Sequence, residues 1–331
     1  MTEHGPQGAR PRTLPGDPAG RPAAGWRGVV ATSGGRSRPG SVAGVVIVDV
    51  SRPAALALAL DGSGDVARDG LPGGAPGDRP GDEVRGEPAR DVPVIVVHRA
   101  ADEHDARVAA SVLVGHRPRV PVALVSTAHA PLAAILALAA AGRLTRDAGH
   151  GVTAVHDLLS ASWSAVVTPS VAGLDHPAPT VAQHLRSWWP GSRFVVRLGP
   201  RPRIVSATRP LLALDGSPAN GRTLHATSPT EEDPVTRALA SWTATKSVHA
   251  VALPDGMPPP LGLRVGDQLA LLPTEPAEFV RRAGAPCPTC GLATSGEICD
   301  FCRTTLPGRR VRHGRNALAG SPAGSLAGSV A

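Results

Sequence analysis

Three unbroken apolar runs govern the first half of the chain: Val45–Val48, Val94–Val97 and Val122–Val125. Each closes on a polar residue, Asp49, His98 and Ser126 respectively. A run without polar alternation predicts a strand buried on both faces, as in a parallel sheet. Between the runs the period changes. Asp102 offers an N-cap, and Ala106, Ala109, Ala110 and Leu113 recur at helical spacing up to Gly115. Pro131 suits the first turn of a Leu- and Ala-rich helix that Gly142 would close. Val152–Val155, ending at His156 and Asp157, and Ala165–Val167 are expected as a fourth and a fifth strand. Strands alternating with helices of this length predict an α/β fold, a mostly parallel sheet covered by helices.

Beyond Pro200 the helical period fades, apart from a short helix expected over Pro234–Thr243. Short segments at Arg203–Ser206, Ser247–Leu253 and Gln268–Leu272 are broken by Gly, Pro and Asp, and Val265-Gly266-Asp267 reads as a hairpin turn. The expected organisation is a disordered tail over 1–27 and an α/β domain over 28–200 with a disordered insertion near 61–91. A small β-rich region over 201–283, a zinc ribbon over 284–308 and a basic, then low-complexity tail over 309–331 complete it.

Composition changes this picture in two ways. Aromatic residues are 2% of the 331, with no tyrosine, so the core must rest on Val, Leu and Ala. In such a chain the pair Trp188-Trp189 is either a core anchor, the default reading, or a stacking and partner surface. The net charge of +7 comes almost wholly from arginine, Lys246 being the single lysine, a bias that GC-rich codons also produce. No run reaches the ~18 apolar residues of a membrane span, and no apolar segment near Met1 reads as a secretory signal. No membrane partner is expected. Paired cysteines without such a signal suit a reducing compartment, and the expected location is cytoplasmic.

All four cysteines fall in one stretch as two Cys-x-x-Cys pairs, Cys287 with Cys290 and Cys299 with Cys302. That spacing lets each pair turn two thiolates toward one tetrahedral ion, and Gly291 permits the positive φ such a turn favours. Zn2+ is the expected ion, against two disulfides or a rubredoxin-like iron site. Four protein ligands leave no open position for catalysis at the metal. Arg303, Arg309, Arg310, Arg312 and Arg315 follow without an acidic residue, and are the candidate nucleic-acid contacts.

The string Cys287-Pro-Thr-Cys290-Gly291-Leu-Ala-Thr294-Ser295-Gly-Glu-Ile-Cys299-Asp-Phe-Cys302 resembles the C-terminal zinc finger of tRNA 2-thiouridine synthetases. The resemblance implies an ATP-pyrophosphatase domain that adenylates uridine, with a Ser-Gly-Gly-x-Asp-Ser loop between a strand and a helix. Ser33-Gly34-Gly35 follows Val29-Val30, but Ser37 and Arg38 stand where that loop has Asp and Ser. The family's catalytic cysteines and N-terminal finger are missing, since every cysteine lies in the ribbon.

Where a parallel sheet ends, its strand carboxyl ends form a ligand edge, so Asp49, His98, Ser126 and His156 are the candidate crevice residues, with His129 and Asp157 beside them. Neither a Gly-x-Ser-x-Gly elbow nor a Walker loop accompanies them. The leading expectation is a zinc-ribbon interaction module that contacts a protein or nucleic acid through its basic flank. The alternatives are a nucleotide-dependent RNA-modifying enzyme and a scaffold with a purely structural zinc site, so catalytic activity stays open.

Overall fold

β1 (Arg27–Thr32), β2 (Gly40–Val42), β3 (Val45–Asp49), β4 (Val94–Arg99) and β5 (Val122–Thr127) hold the three apolar runs in one sheet, ordered β2-β3-β1-β4-β5. β3, β1, β4 and β5 run parallel, and β2 joins antiparallel at the edge. The computed structural model of the chain describes residues 27–32, 40–42, 45–49, 56, 60 and 92–306, apart from 175, 208–220, 229–232, 243, 246, 254–260, 262, 264–265 and 282–283. The expected tails, the insertion near 61–91, and Ser33, Gly34 and Gly35 lie outside the described residues, as do Arg309, Arg310, Arg312 and Arg315.

α1 (Glu103–His116) covers one face of this sheet, placing Ala106, Ala109 and Leu113 against Val29, Val94 and Val96. The other face, with Val30, Ile95, Val97, Ala123 and Val125, receives α2 (Pro131–Leu144) and α3 (Ala148–Ala161). An α/β fold with a parallel sheet covered by helices is therefore what the chain adopts.

β6 (Trp163–Thr168), β7 (Phe194–Leu198), β8 (Arg203–Ser206), β9 (Arg222–Ala226), β10 (Val248–Ala250) and β11 (Asp267–Pro273) form a second sheet in the order β10-β9-β11-β6-β7-β8. All its pairs are antiparallel except β9 with β10. It draws strands from both sides of residue 200. α4 (Val181–Arg186) and α5 (Pro234–Trp242) belong to this half, and α5 buries Val235 and Leu239 against Leu224, Leu269 and Leu271.

Three local expectations are corrected. Val152–Val155 is part of α3, because Val152, Val155, Leu158 and Leu159 share one buried face and Asp147 caps the helix by accepting from the His150 N–H at 2.8 Å. Ala165–Val167 lies in β6, with antiparallel β7 and β11 on either side, so it extends the second sheet and not the parallel one. Gly266 does not turn a hairpin: it leads into β11, and β10 lies beyond β9. A Cβ at Gly266 would run into the Val166 side chain, which accounts for the glycine.

α2 is the hinge of the packing. Ten of its 14 residues are buried. Ala134, Ile135, Ala137, Leu138 and Ala141 face the parallel sheet, while Leu132, Ala133 and Leu136 face Val251, Ala270 and Leu272 of the second half. A helix enclosed on two sides reads apolar all round, and its alanines let both sheets approach. Its first amides have no intrahelical partner. Ser164 Oγ accepts from the Ala130 N–H at 3.1 Å and Gln268 Oε1 from the Leu132 N–H at 2.9 Å, so β6 and β11 cap the helix from across the interface.

His129 is buried at this junction, its Nδ1 3.1 Å from Ser164 Oγ and its own N–H donated to Thr127 Oγ1 at 3.1 Å. Burial, reinforced by the Arg197 guanidinium, lowers its pKa from 6.5 to about 4. His225 on β9 stacks beside His249 on β10 with ring centroids 5.3 Å apart, and its pKa also falls to about 4, through burial first and then through His249 and Arg143.

Both imidazoles are thus neutral in the folded chain over a range where the unfolded chain binds protons. Their contribution to stability is complete above pH 6.5, declines as pH falls toward about 4, and is flat below that. Each depressed histidine contributes on the order of 3 kcal/mol to this loss. Denaturant unfolding measured from pH 7 to pH 4 should show the decline, and His225→Gln should remove about half of it.

Candidate functional site

The two cysteine pairs form matching knuckles. In the first, the Gly291 N–H donates to Cys287 O at 2.9 Å and the Cys287 N–H to Leu292 O at 2.9 Å. The second repeats this bond for bond: the Arg303 N–H donates to Cys299 O and the Cys299 N–H to Thr304 O, each at 3.0 Å. Gly291 has φ +74 and Arg303 has φ 58. The left-handed backbone costs a residue with a Cβ about 1–2 kcal/mol, which glycine avoids.

The knuckles bring Cys287 Sγ to 3.5 Å from Cys302 Sγ and Cys290 Sγ to 3.6 Å from Cys299 Sγ, with all four sulfurs within 4.8 Å of one another. A disulfide would need about 2.05 Å. Sulfurs about 2.3 Å from one tetrahedral ion sit about 3.8 Å apart, so the four cysteines could hold a metal, as in a zinc-ribbon-like module. The thiols are unequal. Thr304 beside Cys302 lowers its pKa to about 6, whereas burial pushes Cys290 up to about 12.

This cysteine lobe packs on the body. Leu292 and Phe301 join the core between the parallel sheet, α2 and α3. Thr153 Oγ1 of α3 donates to Ser295 Oγ at 3.2 Å, and a Cβ at Gly149 would overlap the backbone carbonyl of Ala293. Just before the lobe, buried Asp157 accepts from the Arg281 backbone N–H and from its Nε, both at 2.9 Å. Asp157 and His156 therefore serve α3 and the lobe. His156 is exposed on the helix, near Asp300, and does not stand at a strand end, which corrects its placement in the crevice.

The other crevice candidates do share an edge. Asp49 is level with Thr32, and His98 is level with Ser126, at the carboxyl ends of parallel strands. The strand order reverses between β1 and β4, where ligands approach such sheets. His98 is buried, its Nδ1 3.0 Å from Arg99 O, and Ser126 is exposed. His129 faces the junction under Gly199 and takes no part in this edge.

A groove of about 710 Å³ opens between α1, the edge strand β5 and the cysteine lobe. Val114, Val122, Leu124 and Ile298 supply apolar walls, with Arg107 and Arg303 as its two cations. Val114 and Ile298 leave 40% and 51% of their surface exposed, side by side along the groove. Sequence reasoning missed this site except for Arg303. Arg107, Ser111 and Val114 lie on one helical face, and a lone valine on a polar face was its faint signal. Trp188 and Trp189 are 69% and 72% exposed, which corrects the core-anchor reading.

No family model and no curated protein matches the chain. Among solved structures, a DegV family protein from Corynebacterium glutamicum is 14% identical, with a TM-score of 0.43 over 75% of this chain and 98% of that one. A DegV family protein from Eubacterium eligens, loaded with heptadecanoic acid, is 14% identical with a TM-score of 0.42 over 55% of this chain and 73% of that one. The dihydroxyacetone kinase of C. freundii is 12% identical with a TM-score of 0.42 over 76% of this chain and 49% of that one.

The expected nucleic-acid module, with its RNA-modifying and scaffold alternatives, is corrected here. Leu292 and Phe301 tie the lobe into the α/β core, so it is an integral layer of the body and not a detached ribbon. Arg303 borders an apolar groove. Of the expected zinc site, the cluster of four cysteines is present. Among the described residues no helix is long and apolar enough to cross a membrane.

Gly149→Ala should displace the lobe from α3 while leaving the knuckles able to bind one ion per chain, read from the charge-transfer absorbance of added Co2+ and from lowered thermal stability. Metal uptake at pH 7 should release fewer than four protons, because the Cys302 thiol at about 6 is already ionised. Calorimetry in buffers of different ionisation enthalpy reads that count.

Proposed function

We propose that the chain is a binding protein for an amphipathic organic acid of fatty-acid type, held in the groove between α1, β5 and the cysteine lobe. The observation that carries this reading is the pairing of exposed aliphatic walls, Val114 and Ile298, with two arginines in one groove. Small-molecule sites are mostly apolar with a few placed polar groups, and volumes of roughly 300–1,000 Å³ are usual. An acyl chain would cover Val114, Val122, Leu124 and Ile298, and a carboxylate would meet Arg303 or Arg107. Arg107 now pairs with Glu103 one helical turn away, an exposed contact worth roughly 0.3–0.5 kcal/mol that a ligand can replace.

Zinc is the ion proposed for the cysteine cluster, because four thiolates with no open position suit a redox-inert tetrahedral ion. Its part is positional: Ile298 and Arg303 each adjoin a ligand cysteine, so the ion fixes one wall of the groove.

Titration with a fluorescent long-chain carboxylate should show saturable 1:1 binding that the matching alcohol does not reproduce. Ile298→Asp should weaken it by about tenfold or more through loss of apolar contact. Arg303→Gly should also weaken it while keeping or raising thermal stability, because glycine accepts the left-handed backbone. Equal binding of acid and alcohol, or no saturable binding, would overturn the proposal.

A further inference from the structure

α4 is built inside out. Its polar side anchors it: Gln183 Nε2 donates to Ile204 O at 3.1 Å, and Ser187 Oγ accepts from the Val171 N–H at 3.0 Å. Thr180 and Gln183 close a reciprocal capping box at its start. Val181 and Leu185, one turn apart on α4, and Trp188 and Trp189, in the turn that follows it, form a ridge that is turned to solvent. They are 77%, 49%, 69% and 72% exposed. His184 packs edge-on against Trp188 with ring centroids 5.6 Å apart, so the indole is held outward. A chain with only five tryptophans presents two of them side by side at its surface.

The sequence that carries this ridge is one-sided in charge. Between Thr168 and Ser206 the sequence carries five arginines and a single acidic residue, Asp175. Arg193 is paired with Asp233, Arg201 and Arg203 are exposed, and the Gln183 contact sets α4 beside β8, which carries Arg203.

We propose that this ridge is a membrane-docking surface, which seats Trp188 and Trp189 in the interfacial layer of an anionic bilayer while arginines meet the headgroups. Indoles partition to that layer because the ring is apolar and its N–H is polar, and basic residues near a membrane surface favour anionic lipid. The alternative occupant, a protein, fits less well. Four side chains are far from the ~800 Å² per partner of a stable interface, whereas shallow insertion of a few apolar groups with charge support suffices for reversible membrane binding.

The test is flotation of the full-length chain with vesicles of phosphatidylcholine alone and of phosphatidylcholine with one-quarter phosphatidylglycerol, alongside tryptophan emission. The expected result is association with the anionic vesicles, weakened by salt, with a blue shift. Trp188→Ala with Trp189→Ala should lower the partition coefficient by more than about tenfold. Arg201→Gln with Arg203→Gln should reduce binding to anionic vesicles. All four sites are exposed, so circular dichroism and thermal stability should match the parent.

Ile298→Asp should leave vesicle association intact, which separates this surface from the groove whatever the fate of the acid-binding proposal. Absence of vesicle binding at low salt, or binding undiminished in the double tryptophan variant, would overturn the inference. So would self-association by light scattering that depends on the tryptophans without vesicle binding, because a second copy would then be the occupant.

Discussion

The enclosure of α2 between two sheets is the constraint from which the rest of the structure follows. A helix with ten buried residues has no solvent to satisfy its first amides, so the second sheet supplies Ser164 and Gln268 as acceptors. Those two bonds fix the distance and rotation of one sheet against the other. They also account for a buried neutral His129 at the junction, since a charge there would sit beside Arg197 with little water to screen it. With aromatics scarce, alanines on both sides of α2 make the approach close enough for a core of small residues.

From α2 the order passes outward to α3 and then to the cysteine lobe. Gly149, Thr153 and Asp157 stand on successive turns of α3, and each meets the lobe or its lead-in: Ala293, Ser295 and Arg281. The lobe is too small to fold by burial alone, and this platform supports it. Its placement beside α1 and β5 creates the groove, so a cavity-forming surface arises where the cysteine lobe abuts a sheet edge.

The parallel strands were legible because runs such as Val94–Val97 carry no polar alternation, and the knuckles were legible because Cys-x-x-Cys spacing is itself geometric. Val152–Val155 misled because a short apolar stretch suits either state; only the wider window through Leu158 and Leu159 reveals the helical face. The groove was invisible because its walls come from 107–124 and 298–303, and no local pattern reports that such segments meet. The Trp188-Trp189 pair was read for the core because indoles are normally buried; the polar anchors that turn it outward, Ile204 O and the Val171 N–H, are remote in sequence.

The two knuckles are near-copies, yet their equivalent positions hold glycine in one and arginine in the other. Glycine in both would spare the lobe the left-handed backbone cost. The broken symmetry means that the halves are not interchangeable: one turn is unstrained, while the other keeps a conformationally taxed cation at the groove. Exchanging the two loops would preserve the sulfur tetrahedron and yet move the guanidinium to the wrong side of the lobe.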